Sequence, residues 1–211
     1  MKKSFYRIKR YIQKYFERIY FNPSKYWEEN GGESYYNTFH SEGMMRNEEI
    51  FLLQIEKHKP NSIIDIGCGY GRYLKVIRDN YPNIELVGTD ISKSQITYAK
   101  KYLSDDSIKL IINDSTKFSF DDKYFDLAIT YGLFGHIPPK LFKPIFLEIK
   151  RITKKGCFLE GKSNGKKISQ NHVFTHNYDS IFKKFLISKE ELGIDILYYL
   201  NFEKIIKPND K

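Results

Sequence analysis

The sequence contains little cysteine and no long apolar run. Its two cysteines, Cys68 and Cys157, stand far apart and belong to no CxxC pair. This spacing suggests neither a disulfide framework nor a zinc site, so we expect no metal and a reducing, cytoplasmic compartment. No apolar stretch reaches the ~18 residues that span a bilayer, and the N-terminus lacks the apolar segment of a signal peptide. There is also no internal repeat or low-complexity segment.

Positive charge is concentrated at the N-terminus. Residues 1–26 carry eight Lys/Arg and one Glu, a net +7, which leaves 9 − 7 = +2 for the other 185 residues. Across residues 5–20, apolar side chains recur at steps of three and four with basic side chains opposite, which predicts a basic amphipathic helix. Such a helix would either bind an anionic membrane surface through residues 1–20 or cap the rest of the chain with its apolar face.

The segment after this helix is predicted to be a connector. Asn22-Pro23 would stop the helix, and an aromatic-rich stretch continues to His40. Its rings, between residues 25 and 36, would either close over a ligand or pack the helix onto the core. We therefore expect two parts, a helical and aromatic cap at residues 1–43 and a domain at residues 44–211.

Beyond Pro60 the hydrophobic pattern alternates between strand and helix. Strands are predicted at residues 63–66, 84–89, 108–112, 125–130 and 157–159, the last entered through a turn at 154–156. Helices are predicted at residues 72–80, 93–103 and 140–152, and another precedes this region at residues 44–58, ended by Pro60. A weaker pattern indicates a helix at 178–185 and one or two closing strands within 194–206. This alternation predicts an α/β fold, a doubly wound and mostly parallel sheet covered by helices on both faces.

Three glycines follow the first strand. Residues 65–71 read Asp-Ile-Gly-Cys-Gly-Tyr-Gly, at the carboxyl end of the strand, where open parallel sheets bind ligands. A dinucleotide-binding motif would need its third glycine at position 72, which is Arg72, and no phosphate-loop pattern is present. The acid at Asp65 would repel a pyrophosphate but suits a ligand with an ammonium group. Both phosphate-binding interpretations therefore fail.

Residues 65–71 resemble the first motif of the class I S-adenosylmethionine-dependent methyltransferases, of the Rossmann-like, small-molecule type. Three later features occur in the order of that family, so the resemblance extends over roughly residues 60–160. The second strand ends at Asp90, the third ends at Asn113-Asp114-Ser115, and residues 125–138 are similar to the family's F-D-x-V…L-x-H-x-P segment. The resemblance implies a seven-stranded sheet and S-adenosyl-L-methionine as the cofactor.

The resemblance also implies how the cofactor would be bound. Asp65 and the glycine backbone would lie near its methionine part, Asp90 would accept both ribose hydroxyls, and Asp114 would bind the adenine amino group. The residues predicted to bind the cofactor are Asp65, Gly67, Cys68, Gly69, Gly71, Asp90, Ile91, Asp114, Ser115, Tyr131 and Arg46.

Several of these residues also have a purely structural interpretation. Asp90 could cap the helix that follows it, although Ser92 already suits that role. Asp114 could be a turn residue, Cys68 a small packing residue, and Arg46 a solvated surface residue.

The acceptor is less closely defined. The [DN]-P-P-[YF] motif of enzymes that methylate nucleobase or glutamine amides is replaced by Thr130-Tyr-Gly-Leu. The resemblance instead implies O- or N-methylation of a small molecule (a metabolite, a glycan or a lipid-linked compound) in a pocket lined by residues 161–178. The alternatives are an RNA methyltransferase, which the nearly neutral body of the chain disfavours, and a non-catalytic cofactor-binding or membrane-associated module.

One residue is a candidate general base. His136 follows the fourth strand by six residues, and an imidazole there could take a proton from a hydroxyl near neutral pH. The alternative is that it only fixes its loop by hydrogen bonding. His176 and Tyr178 are reserve candidates.

Overall fold

Seven strands form a single sheet in the computed structural model, which describes residues 20–40, 47–161 and 172–203. The strands are β1 (Ser62–Ile66), β2 (Glu85–Asp90), β3 (Lys109–Ile112), β4 (Phe125–Tyr131), β5 (Thr153–Gly161), β6 (Leu186–Leu192) and β7 (Asp195–Asn201). Their order is β3-β2-β1-β4-β5-β7-β6, with β1 to β5 parallel and β7 antiparallel to both of its neighbours. The predicted doubly wound, mostly parallel sheet is confirmed.

Helices cover the two faces of this sheet. The described α-helices are α1 (Pro23–Asn30), α2 (Glu33–Phe39), α3 (Glu48–His58), α4 (Arg72–Asn80), α5 (Lys93–Leu103), α6 (Pro139–Ile152) and α7 (Tyr178–Phe182), with a 3₁₀ turn at Phe134–His136. Phe142 and Phe146 of α6 pack with Phe158 and Phe182 in one core cluster. Phe51 of α3 and Leu74 of α4 belong to the second cluster. Each cluster also contains strand side chains, Ile64 in the first and Ile63 in the second, so the helices are packed on the sheet.

Two predicted segments are wrong. The stretch before His40 is no simple connector, because it holds α1 and α2. Asn22 begins a helix, since its side-chain oxygen accepts the amide of Lys25 (3.1 Å), and Pro23 takes the first helical position, which needs no amide donor. The turn predicted at 154–156 is strand, because these residues pair with β4 and with β7.

Helices α1 and α2 are attached to the start of α5. The carboxylate of Glu28 accepts the amide of Ser94 (3.0 Å) and the hydroxyl of Ser92 (3.2 Å). The amide of Gly32 donates to the side-chain oxygen of Gln95 (3.0 Å), in a buried position. The predicted basic helix at residues 5–20 falls, but for Tyr20, outside the described residues, as do Arg46 and the proposed boundary at residue 43, so these remain predictions.

Candidate active site

A cavity of about 680 Å³ lies at the carboxyl edge of the sheet. Of the residues predicted from the sequence, it brings together Gly67, Gly69, Asp90, Ile91, Asp114, Ser115, Tyr131 and His136. Asp65, Cys68 and Gly71 are not among its lining residues. Cys68 is buried beneath the loop, with its thiol directed at the carbonyl of Gly69 (3.7 Å), which agrees with the packing interpretation.

The glycine loop is tied to the end of β2. The amides of Gly67 and Cys68 both donate to the carbonyl of Thr89, at 2.8 and 2.9 Å. Gly67 has φ +72°, and a Cβ there would stand 2.9 Å from Cδ1 of Leu133, which lines the cavity. Glycine is therefore required at this position by its backbone conformation and by the space beside it.

Asp90 joins the glycine loop to α5. Its Oδ2 accepts the amide of Gly69 (2.9 Å) and its Oδ1 accepts the amide of Ser92 (2.9 Å). The N-cap of α5 is Ser92, whose hydroxyl oxygen accepts the amide of Gln95 (3.1 Å). Asp90 is therefore not the cap, and its half-buried carboxylate lies in the cavity wall.

The two acids at this edge carry unusual proton affinities. Burial raises the pKa of Asp90 to about 6, although backbone hydrogen bonds oppose the shift. Asp65 is 2% exposed, and burial together with the charge of Asp90 raises its pKa to about 8, while Arg72 opposes the rise. At neutral pH Asp65 is therefore protonated, and the negative charge beside the glycine loop lies on Asp90, where it suits a cationic ligand such as a sulfonium that also bears an ammonium group.

Asp114 lies in the cavity wall and also stabilises a turn. Its Oδ1 accepts both the amide (2.9 Å) and the hydroxyl (2.6 Å) of Thr116. The amide of the buried Ser115 donates to the side chain of Asn113 (2.6 Å). The turn interpretation of Asp114 thus describes one of its oxygens, and its place in the wall leaves the adenine prediction open.

Aromatic side chains form another part of the wall. Trp27 of α1 and Tyr35 of α2 line the cavity with Tyr131, and the rings of Trp27 and Tyr35 meet edge to face with centroids 5.8 Å apart. Tyr131 is 37% exposed, and the guanidinium of Arg72 lies 5.4 Å from its ring centroid. The aromatic stretch therefore contributes to the cavity wall, which is the first of the two interpretations that the sequence left open.

His136 lies on the 3₁₀ turn after β4. Its Nδ1 is 3.1 Å from the backbone carbonyl of His172. A carbonyl only accepts, so Nδ1 carries the proton and Nε2 has a free lone pair. Burial lowers the pKa of His136 to about 4, which keeps the ring neutral at pH 7. Its ring also meets that of Trp27 edge to face (5.0 Å).

The reserve candidates occupy different places. Tyr178 lines the cavity, and its hydroxyl donates to Glu160 (3.4 Å). His176 is directed at the carbonyl of Ile137 (3.0 Å), and it is not among the lining residues.

Sequence reasoning missed two buried acids in the wall. Glu160, at the end of β5, is 1% exposed, and Asp195 opens β7 at 8% exposure. Glu160 directly follows the predicted strand at 157–159, so its position at the carboxyl edge was a usable signal. Asp195 lies on an antiparallel strand whose register the sequence does not reveal. Within the described ranges, no group of three or more His, Cys, Asp or Glu side chains could hold a metal, and no helix could span a membrane.

Comparison with known proteins gives a family for the central part of the chain. Residues 63–156 match a family described as a methyltransferase domain. A malonyl-[acyl-carrier protein] O-methyltransferase of Anoxybacillus flavithermus is 36% identical over 77 residues, which cover 36% of this chain and 29% of that protein. The cyclopropane-fatty-acyl-phospholipid synthase of Escherichia coli is 29% identical over 110 residues, or 52% of this chain and 28% of that protein.

A solved structure extends the similarity to most of the fold. An S-adenosylmethionine-dependent methyltransferase from Aquifex aeolicus superposes with a TM-score of 0.62 at 16% identity, over 85% of this chain and 98% of that one. By contrast, the chain spans less than a third of the length of the curated relatives it matches.

Proposed function

We propose that this chain, whose residues 63–156 match a methyltransferase-domain family, is an S-adenosylmethionine-dependent methyltransferase. It would methylate an oxygen or nitrogen atom of a small-molecule acceptor such as a metabolite, a glycan or a lipid-linked compound. The observation that carries this proposal is the cavity of about 680 Å³, whose wall joins the glycine loop and Asp90 to Trp27, Tyr35 and His136. Its volume lies within the ~300–1,000 Å³ of small-molecule sites. Longer polymers would meet α1 and α2 beside it.

The residues present suit the family's cofactor. Gly67 and Gly69 bring backbone to the cavity wall, where a ligand can approach closely, and the carboxylate of Asp90 can accept hydrogen bonds from a vicinal diol such as that of a ribose. Asp114, which lines the same cavity, is the residue we propose for the adenine amino group. When bound, S-adenosylmethionine supplies a methyl group on a positively charged sulfur, already a strong electrophile. The protein then needs mainly to orient the acceptor and exclude water.

Methylation of a hydroxyl or an amine releases a proton, which a base must take up. Nε2 of the neutral His136 has a lone pair, so it can take a proton from an acceptor hydroxyl or amine held in the cavity. An RNA acceptor and a non-catalytic role are the competing proposals. The aromatic wall from α1 and α2 favours a compact acceptor over an open nucleic-acid surface.

Calorimetry followed by a transfer assay tests the proposal. We expect the full chain to bind S-adenosylmethionine and S-adenosylhomocysteine, and to move a radiolabelled methyl group onto a hydroxyl or amine compound in a metabolite panel. A matched RNA pool is the comparison arm. Binding of NAD without either cofactor form would contradict the whole proposal. Transfer to RNA alone would replace the small-molecule acceptor, and binding with no transfer to any arm would favour the non-catalytic role.

The basic N-terminal segment supports a second partner, an anionic membrane surface. Residues 1–26 carry a net +7, and each basic residue near anionic lipid contributes ~1 kcal/mol. Co-sedimentation with anionic and neutral vesicles, with and without residues 1–22, tests this peripheral location. We expect recovery only for the full chain with anionic vesicles. Equal recovery in all four conditions would leave the segment as a cap.

A further inference from the structure

Glu160 holds the turn that carries His136. Its Oε1 accepts the amide of Phe134 (3.1 Å) and its Oε2 accepts the amide of Gly135 (3.1 Å). Both amides belong to the 3₁₀ turn after β4, so a single buried carboxylate binds two successive backbone groups. The hydroxyl of Tyr178 donates to Oε2 as a third partner (3.4 Å).

A further backbone hydrogen bond holds the turn through Gly135. The carbonyl of Gly135 accepts the amide of Phe174 (2.7 Å), which joins the turn to the segment before α7. His136 follows directly, and its ring is set by the carbonyl of His172 and by the edge-to-face contact with Trp27. A change in the turn at Phe134 and Gly135 would therefore move the imidazole away from its partner.

Burying a carboxylate costs more desolvation free energy than a purely structural hydrogen bond requires. A buried charge is destabilising unless it is well hydrogen-bonded, whereas an uncharged acceptor could satisfy one amide at less desolvation cost. A carboxylate offers two advantages over an uncharged acceptor. Hydrogen bonds to ionised acceptors are about twice as strong as neutral ones, and a carboxylate has two acceptor oxygens in one plane. Both properties serve to fix a backbone turn in one orientation.

We propose that Glu160 is a positioning residue of the methyltransferase site, which acts through the turn Phe134–His136 to fix the orientation and tautomer of His136. The catalytic role that this inference gives to Glu160 rests on the proposed function. Whether Glu160 fixes the orientation and tautomer of the His136 ring can be measured without any acceptor.

The decisive variant is Glu160→Gln. An amide side chain of nearly the same shape has one accepting oxygen and one donating nitrogen, so it can accept only one of the two turn amides and must direct an N–H at the other. The matched control is Tyr178→Phe, which removes the third hydrogen bond of Glu160 and keeps both backbone bonds. A general loosening of the core would appear in both variants, whereas loss of positioning would appear only in Glu160→Gln.

The readout is the ¹⁵N spectrum of the His136 ring in the full chain, with S-adenosylhomocysteine affinity measured in parallel. The wild type and Tyr178→Phe should show a single tautomer protonated at Nδ1. Glu160→Gln should show a mixture of tautomers, with S-adenosylhomocysteine affinity within about threefold of wild type and turnover on the acceptor reduced by at least about tenfold. Identical His136 ring signals in all three proteins would overturn the proposal.

A titration of the wild type keeps the proposal testable if Glu160→Gln does not fold. Burial, with the charge of Asp195, raises the pKa of Glu160 to about 7, while the two turn amides and Tyr178 oppose the rise. Burial lowers the pKa of the nearby His136, His172 and His176. The amide signals of Phe134 and Gly135 should therefore move with a midpoint near pH 7, and the His136 ring signals should move with them. His136 ring signals that do not change as Glu160 titrates would contradict the positioning role. Failure to bind S-adenosylhomocysteine would instead refute the proposed function and leave this test intact.

Discussion

The carboxylate of Asp90 accepts the amide of Gly69 at 2.9 Å, so the acid that ends β2 holds the glycine loop that follows β1. The two motifs that are separated by 21 positions in the sequence are thus one structural unit. Asp90 stabilises the loop with Oδ2 and the start of α5 with Oδ1, through the amide of Ser92. A change at Asp90 should therefore affect both the shape of the site and its affinity for the cofactor.

Asp90→Ala should weaken S-adenosylhomocysteine binding by roughly 2–3 kcal/mol, because it removes the charge-assisted hydrogen bonds that we propose to the ribose and frees Gly69. Isothermal titration calorimetry measures the effect. Asp114→Ala is the comparison, since Asp114 is exposed and its loss should cost less. Wild-type affinity in Asp90→Ala would show that the ribose does not bind there.

Gly67→Ala should lose more cofactor affinity than Gly132→Ala. Both residues line the cavity and have positive φ, +72° and +66°, so each alanine stores backbone strain of about 1–2 kcal/mol. Only the methyl group at 67 would meet a neighbour, Leu133, while a Cβ at 132 has nothing within 4 Å. Calorimetry with S-adenosylhomocysteine and urea unfolding separate the two effects. Equal affinities in the two variants would mean that the backbone at Gly67 does not approach the cofactor.

Local signals in the sequence predicted the helices of the central domain well. The bounds predicted for α4 and α5 match Arg72–Asn80 and Lys93–Leu103, because apolar periodicity and the Ser92 cap are properties of the segments themselves. β6 was missed, since its side chains are mostly exposed and include Lys189 and Glu190, so no alternating apolar pattern marks it.

The site was predictable only where a motif fixes it. The glycine loop and Asp90 follow from their place after two strands. The role of Glu160 depends on amides 25 and 26 positions away, a contact that no periodicity encodes. For Asp65, the motif predicted a contact that the structure does not show. Its motif suggested direct ligand contact, whereas the structure buries it behind the loop and outside the cavity wall.

Stability should fall as the pH rises from about 6.5 to 8, in part because of Asp65. The raised pKa of about 8 means that the folded protein keeps this proton until about pH 8, whereas an unfolded aspartate has lost it by about pH 5. The folded state then binds more protons than the unfolded state, so raising the pH favours unfolding, by up to about 1.4 kcal/mol per pH unit.

Asp65→Asn isolates this contribution, since it removes the titrating group and keeps the shape. Urea unfolding of both proteins at several pH values in that window should give a flatter dependence for the variant and a higher relative stability at pH 8. His136, whose pKa falls from about 6.5 in the unfolded chain to about 4, changes stability mainly below this window, and Glu160, whose pKa is about 7, titrates in both proteins and is removed by the comparison. Parallel curves for the two proteins would mean that Asp65 is ionised in the folded state at pH 6.5.

His136→Ala should lower turnover by ~10²–10⁴-fold and leave S-adenosylhomocysteine affinity nearly unchanged, if Nε2 accepts the acceptor's proton. His136→Gln is the matched variant, because its side chain can still donate to the carbonyl of His172 and keep the loop in place, while it cannot take up the proton. Both variants should therefore be equally slow. A fast His136→Gln beside a slow His136→Ala would show that the imidazole only fixes its loop through His172. The ring should titrate near pH 4 in the wild type, as its burial requires, and a midpoint near its ordinary value would place it in solvent, away from the reacting atoms.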